Sequence, residues 1–180
     1  LTSDSWLDAL KRGRTFITNG PFLEFTVDNH APGDILNLTQ PRKLSINARA
    51  LGRAAFQTIQ LIHNGQIIAT PKSNPAEGHF QSTLTTTVNI TKPGWLALRI
   101  QSDQQNELGR PLFAHTSPVY INVNNQRPFD RDVAQNLIDE MRQSVTQIKQ
   151  QGHFADNTEL ESVIAVYQQG IATLEARLAE

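Results

Sequence analysis

Phe80-Gln-Ser-Thr-Leu-Thr-Thr-Thr-Val-Asn-Ile-Thr-Lys-Pro-Gly-Trp-Leu-Ala-Leu-Arg-Ile100 is the stretch whose reading decides the fold. Side chains on a strand point alternately to its two faces. Leu84, Val88 and Ile90 share one parity, and Thr83, Thr85 and Thr87 share the other. Beyond Lys92-Pro-Gly94 the alternation resumes, with Leu96, Leu98 and Ile100 opposite Trp95, Ala97 and Arg99. Period two over this length predicts two strands, each with one buried face.

Similar signals lie on both sides. Thr15–Thr18 and Phe22–Val27 are rich in β-branched and aromatic residues. Asn19-Gly-Pro21 separates them, and Asp28-Asn-His-Ala-Pro-Gly33 is a turn cluster. Leu44–Ala48 and Phe56–Ile62 follow, and Asn64-Gly65 is a strong hairpin signal returning through Gln66–Ala69. Ser117–Val123 is the last strand expected. Seven or eight short strands between turns predict an antiparallel β-sandwich, Ig-like in type, with Trp95 and Tyr120 in its core or at its edge.

Helical signals flank the strands. Asp4 or Ser5 is expected to cap a short N-terminal helix with Trp6, Leu7 and Leu10 on one face, stopped at Gly13. After Pro128 the period changes. Ala134, Leu137, Ile138, Met141, Val145 and Ile148 recur at helical spacing. Asn157 or Thr158 should cap a second helix carrying Leu160, Ile164, Tyr167, Ile171, Leu174 and Leu178. The fold class expected is therefore mainly β with α: residues 1–127 as the sandwich with its short helix, and 128–180 as an antiparallel two-helix hairpin. Both apolar stripes need covering, because burying a side chain such as Leu174 is worth roughly 1.5–3 kcal/mol.

Composition narrows the function classes. The 180 residues carry 16 basic and 17 acidic side chains, for a formal net charge of -1. That balance argues against a nucleic-acid partner, which requires a clustered basic surface. Lys11-Arg12-Gly13-Arg14, the one dense basic spot, suits the C-terminal end of a helix. Cysteine is absent, so disulfides, thiolate nucleophiles and cysteine-based zinc sites are excluded. No apolar run approaches the roughly 20 residues of a membrane-spanning helix. Asn37-Leu-Thr39 and Asn89-Ile-Thr91 fit the glycosylation sequon.

No constellation reads as a complete catalytic site. His30, His63, His79, His115 and His153 have no metal-binding spacing. Ala114-His-Thr-Ser-Pro118 places a histidine near a serine, but neighbouring strand residues face opposite ways, so a structural role is expected there. Asp28 and Asp34 match no calcium-loop pattern. Aromatics at strand spacing are read as core rather than as a sugar-stacking platform. No catalytic, cofactor-binding or metal-binding residue is expected in this chain, and no cofactor.

Several motifs together resemble the C-terminal region of the CehA/McbA-type metallohydrolases, relatives of the polymerase-and-histidinol-phosphatase (PHP) enzymes. They are Trp6-Leu-x-Ala-Leu-x-x-Gly-Arg-Thr-Phe-Ile-Thr-Asn-Gly-Pro21, Asp28 to Asp34, Leu61-Ile-x-Asn-Gly-Gln66, Gly94-Trp-Leu-Ala-Leu-Arg99 and Ala114-His-Thr-Ser-Pro-Val-Tyr120. The resemblance covers most of residues 5–125. In that family a PHP-like barrel holding divalent metals precedes a β-sandwich, and the barrel's His-x-His motif is absent here. The resemblance implies a noncatalytic accessory domain of a longer bacterial protein, periplasmic or secreted, whose partner is the preceding catalytic domain. It also implies that Trp6, Arg14, Thr18, Asn19 and His115 lie at the domain junction. Arg14 is further expected to pair with a carboxylate, and Asn19 to fix the corner. The alternatives are a self-standing carbohydrate- or peptide-binding module, using loops 28–34, 71–79 and 101–113, and an interaction protein or homo-oligomer using the helices.

Overall fold

The computed structural model describes residues 2–180. The chain divides between Pro128 and Phe129 into two compact units. The first opens with helix α1 (Ser3–Lys11). Eleven strands follow: β1 (Phe16–Thr18), β2 (Phe22–Val27), β3 (Ile35–Leu38), β4 (Arg42–Gly52), β5 (Thr58–His63), β6 (Gln66–Ala69), β7 (Asn74–Ala76), β8 (His79–Ile90), β9 (Gly94–Gln101), β10 (Ala114–Thr116) and β11 (Val119–Val123).

They form two mostly antiparallel sheets. One is four-stranded, in the order β2-β4-β8-β7; the other is seven-stranded, with β9 at its centre. One edge of β9 pairs with β5, which pairs in turn with β6. Its other edge is shared between β10, which leads to β1, and β11, which leads to β3. Among the described residues the β3–β11 pair is the one parallel ladder.

The alternation of period two settles which residues face inward. Leu96, Leu98 and Ile100 on β9, Val119, Ile121 and Val123 on β11, Leu23, Phe25 and Val27 on β2, and Leu44 and Ile46 on β4 all enter one buried cluster. Both sheets contribute to it, so each covers the other's apolar face. Truncating a fully buried member such as Leu98 or Ile46 to alanine costs about 2–5 kcal/mol, the transfer loss plus the cavity left behind. Positive φ angles at Asn64 (48°) and Gly65 (81°) give the β5–β6 hairpin its turn, as the Asn-Gly pair predicts.

Several expectations need correction. The last strand begins at Val119, two residues later than expected. Pro118 has no N–H to donate, and the Ser117 N–H donates to the Thr15 carbonyl instead, so the ladder breaks there. The sequence reading listed no strand at β3, β7 or β10. The first is only four residues long, and the second contains Pro75, tolerated because β7 is an edge strand. Trp95 and Tyr120 are not in the core. They lie opposite each other on the outer face of the seven-stranded sheet, Trp95 half-buried and Tyr120 exposed.

Neither Asp4 nor Ser5 caps α1. Thr2 does, because its hydroxyl accepts the Ser5 N–H at 3.2 Å while the Ser5 hydroxyl accepts the Thr2 N–H at 3.0 Å.

The second unit contains helices α2 (Arg131–Gln151) and α3 (Asn157–Leu178). Asp130 caps α2. Asp156, rather than Asn157 or Thr158, caps α3: it accepts the Glu159 N–H at 2.9 Å, and the Glu159 carboxylate accepts the Ala155 N–H at 2.7 Å. The helices meet through Arg142 and Glu175 (2.6 Å) and through Arg131 and the Leu178 carbonyl. Ala134, Ile138 and Ile164 are buried, whereas Leu137, expected in the covered stripe, is exposed. No helix among the described residues is long and apolar enough to cross a membrane.

Candidate functional site

Of the residues the sequence placed at a junction, Trp6 lies on α1, Arg14, Thr18 and Asn19 lie around β1, and His115 lies on β10 beside it. Gly13, at φ 69°, ends α1 and turns the chain toward β1. Its neighbourhood is tight. A Cβ on Gly33 would run into the Arg12 and Gly13 backbone, and Gly33 donates its N–H to the Pro118 carbonyl at 2.8 Å. Arg14 pairs with Asp34 at 3.1 Å across the same turn. Asp34 also accepts the Ala31 N–H at 3.0 Å. The root of α1 is therefore fixed to the 31–34 turn and to the β10–β11 break.

The helix itself is different. None of its residues is buried, and Trp6, Leu7 and Leu10 are exposed by 58%, 42% and 49%. A capped, amphipathic helix with its apolar side in water is a helix without a partner among the described residues. Trp6 and Leu7, with Thr2 and Ser3, line a shallow open groove.

The Asn-Gly-Pro corner is a clamp. The Asn19 amide donates to the Pro111 carbonyl at 2.8 Å and accepts the Phe113 N–H at 2.8 Å. The Thr18 hydroxyl donates to the Pro21 carbonyl at 2.6 Å and accepts the Gly20 N–H at 3.0 Å. These bonds tie the 102–113 loop to the start of the fold. His115 sits one strand over on β10, exposed, with Ile17 on one side and Arg99 on the other. Arg14, Thr18 and Asn19 are thus all engaged in holding backbone and turns, while Trp6 and His115 are free at the surface.

The other candidates are committed to structure. Ser117 bonds the Thr15 hydroxyl at 2.9 Å. Asp28, at φ 48°, accepts the Ser45 N–H at 2.8 Å and the Ser45 hydroxyl at 2.9 Å, and pairs with Arg42 at 2.6 Å. Burial pushes the Asp28 carboxyl up, but the Ser45 and Arg42 bonds outweigh it and hold the group below its ordinary range. Burial, with a smaller contribution from Lys92, pushes the His63 imidazole down, and its Nε2 is buried without a hydrogen-bond partner. Among the described residues no group of three or more His, Asp or Glu side chains is placed to hold a metal ion.

Of the outer face of the seven-stranded sheet, the sequence reading singled out His115 as a junction residue but none of Trp95, Tyr120 and Arg99 as part of a site. Trp95, Tyr120 and Ile35 form one row across β9, β11 and β3; Gln60, Arg99 and His115 form another across β5, β9 and β10. The parity of β9 already set Trp95 and Arg99 apart from the buried leucines. Aromatic residues at strand spacing are more often core, and here Trp95 and Tyr120 lie on the outer face instead.

The chain matches no protein-family model and no curated protein.

Proposed function

We propose that this chain is a noncatalytic accessory domain of a PHP-like metal-dependent hydrolase, which buttresses the catalytic barrel at its α1 end. The observation that carries the reading is α1: capped, fixed at its root, and exposing Trp6, Leu7 and Leu10. Contiguous apolar surface on a helix marks a contact with another body. Arg14 then acts as a positioning residue, holding the angle at which α1 leaves the sheets, while Thr18 and Asn19 fix the neighbouring corner and the 102–113 loop. Metal-activated hydrolysis would belong to the partner.

In its finer form the fold reads as an Ig-like sandwich. The order β2-β4-β8-β7 against β6-β5-β9-β11 parallels the ABED and CFG sheets of that class. The last two helices read as an antiparallel hairpin, supported by the meeting of Arg131 at the start of α2 with Leu178 at the end of α3.

The test is co-expression of the chain with the segment encoded upstream in its reading frame. A metal-binding barrel there should co-purify with the chain, and a Trp6→Ala, Leu10→Glu double variant should separate the two. A frame encoding no such barrel, or co-purification indifferent to those substitutions, would overturn the proposal. The dialysed chain alone should retain no stoichiometric zinc or manganese.

A further inference from the structure

The two sheets have very different outer faces. On the four-stranded sheet, apart from Phe22 and Leu51 at one end, the outward positions are Glu24, Thr26, Lys43, Ser45, Asn47, Arg49, Thr83, Thr85, Thr87 and Asn89, an ordinary solvated surface. The seven-stranded sheet instead presents Trp95 beside Tyr120 and Ile35, with Ala97, Ile62 and Ile67 in the next row. Tyr120 is 41% exposed and Ile35 57%. Among the described residues, no outward-facing strand position of this sheet is acidic. Its strong cation is Arg99.

Arg99 is held in place. Its Nε donates to the Gln60 Oε1 at 2.9 Å, and Nη2 donates to the same oxygen. Gln60 is only 4% exposed, and its own amide group bonds Gln101. One edge of the guanidinium fork is therefore fixed by a buried amide, and the Nη1–Nη2 edge stays open. Among the described residues no carboxylate pairs with Arg99. A preorganised guanidinium with one open edge is complementary to a carboxylate, which it binds through two parallel hydrogen bonds.

We propose that this face binds an acidic saccharide, a uronate-containing chain whose carboxylate meets Arg99 and whose sugar rings lie over Trp95 and Tyr120. Trp95 and Arg99 are four positions apart on β9, about 13 Å, so the ligand spans more than one ring. The apolar C–H face of a sugar ring packs on an aromatic face. Planar hydrogen-bonding groups flank the aromatic row at both ends. Arg99, Gln60 and Gln101 lie at one end; Asn122, bonded to Asn37 at 2.8 Å, lies at the other.

Two other occupants fit less well. A peptide strand needs a free backbone edge; the free edges lie at β1, β3 and β6, whereas β9 and β11, which carry Arg99, Trp95 and Tyr120, are paired on both sides. A second copy placed face to face would bring Arg99 against a surface without a carboxylate. The proposal rests on this face alone and is independent of the docking role of α1.

The test is affinity electrophoresis of the whole chain in native gels containing polygalacturonate, alginate or hyaluronan, with neutral galactan as the reference. At least one acidic polymer should retard the chain and galactan should not. Arg99→Gln and Trp95→Ala should each weaken retardation about tenfold or more. Arg99→Lys, which keeps the charge but loses the fork, should weaken it less. Arg49→Gln on the opposite sheet should leave it unchanged, and circular dichroism should show each variant folded. Retardation by none of the acidic polymers, equal retardation by galactan, or binding unaffected by Arg99→Gln would overturn the proposal. So would a concentration-dependent dimer in sedimentation that Trp95→Ala dissociates.

Discussion

Asp28 illustrates how one side chain can serve backbone and charge together. It occupies a left-handed conformation that asparagine and aspartate tolerate best. Asp28→Asn should therefore keep the turn and lose chiefly the Arg42 pair, at a cost of about 1 kcal/mol, while Asp28→Ala should cost more because alanine is strained at positive φ. Its carboxyl is held below its ordinary value of 3.8. The stabilisation is thus fully present above that pH and is lost as the pH falls below it. Thermal melts between pH 5 and 2.5 should show a shallower decline for Asp28→Asn than for the parent. His63 behaves in the opposite chemical sense. A histidine held below its ordinary 6.5 is kept neutral by the fold, so the unfolded chain binds the extra proton first. Stability should fall as the pH drops from 7.5 through 6.5 toward the folded pKa. His63→Phe removes the proton site and the unpartnered Nε2 together, and should flatten that part of the melting profile. Neither environment was visible in the sequence. Asp28 was legible as a turn residue, but Arg42 and Ser45 reach it only through strand pairing.

At the scale of elements, α1 depends on glycine at the turn beneath it. Gly33 sits at φ 88°, and a Cβ there would meet the Arg12 carbonyl. Gly33→Ala should therefore dislodge the root of α1, lower the melting temperature, and speed tryptic cleavage at Lys11 and Arg12 relative to the parent. The Arg142–Glu175 pair between α2 and α3 makes a useful contrast. Both side chains are about half exposed, so Arg142→Ala should change stability by less than about 1 kcal/mol. Elements with a long, clean period were legible from residue types alone: β2, β8, β9 and both long helices needed only alternation or helical spacing. Elements defined by their partners were not. β3 exists because four residues meet β11 in parallel, and the division between β10 and β11 exists because Thr15 and Gly33 capture the backbone at Ser117 and Pro118. The corner at Asn19 lay between these cases. Its turn was readable, but its grip on Pro111 and Phe113, more than 90 residues away, was not.

For the molecule as a whole, the buried cluster of the first unit is built entirely from residues between Leu23 and Val123. A chain ended after Gln126 should therefore keep a single cooperative melting transition within a few degrees of that unit's transition in the full chain, measured by calorimetry. Two transitions in the shortened chain, or none, would mean that the core needs the rest. The change of period near Pro128 was readable from residue types alone, whereas the contrast between the two outer sheet faces emerged only once the pairing was known. The parallel β3–β11 ladder has a mechanical consequence. A load applied at Asp34 and Asn124 would pull the two strands in opposite directions along their length. The bonds linking Ile35 through Leu38 to Tyr120 through Val123 would then share the strain at once, in shear, instead of opening one after another as in an unzipping hairpin. That seam is where the first unit would best withstand tension.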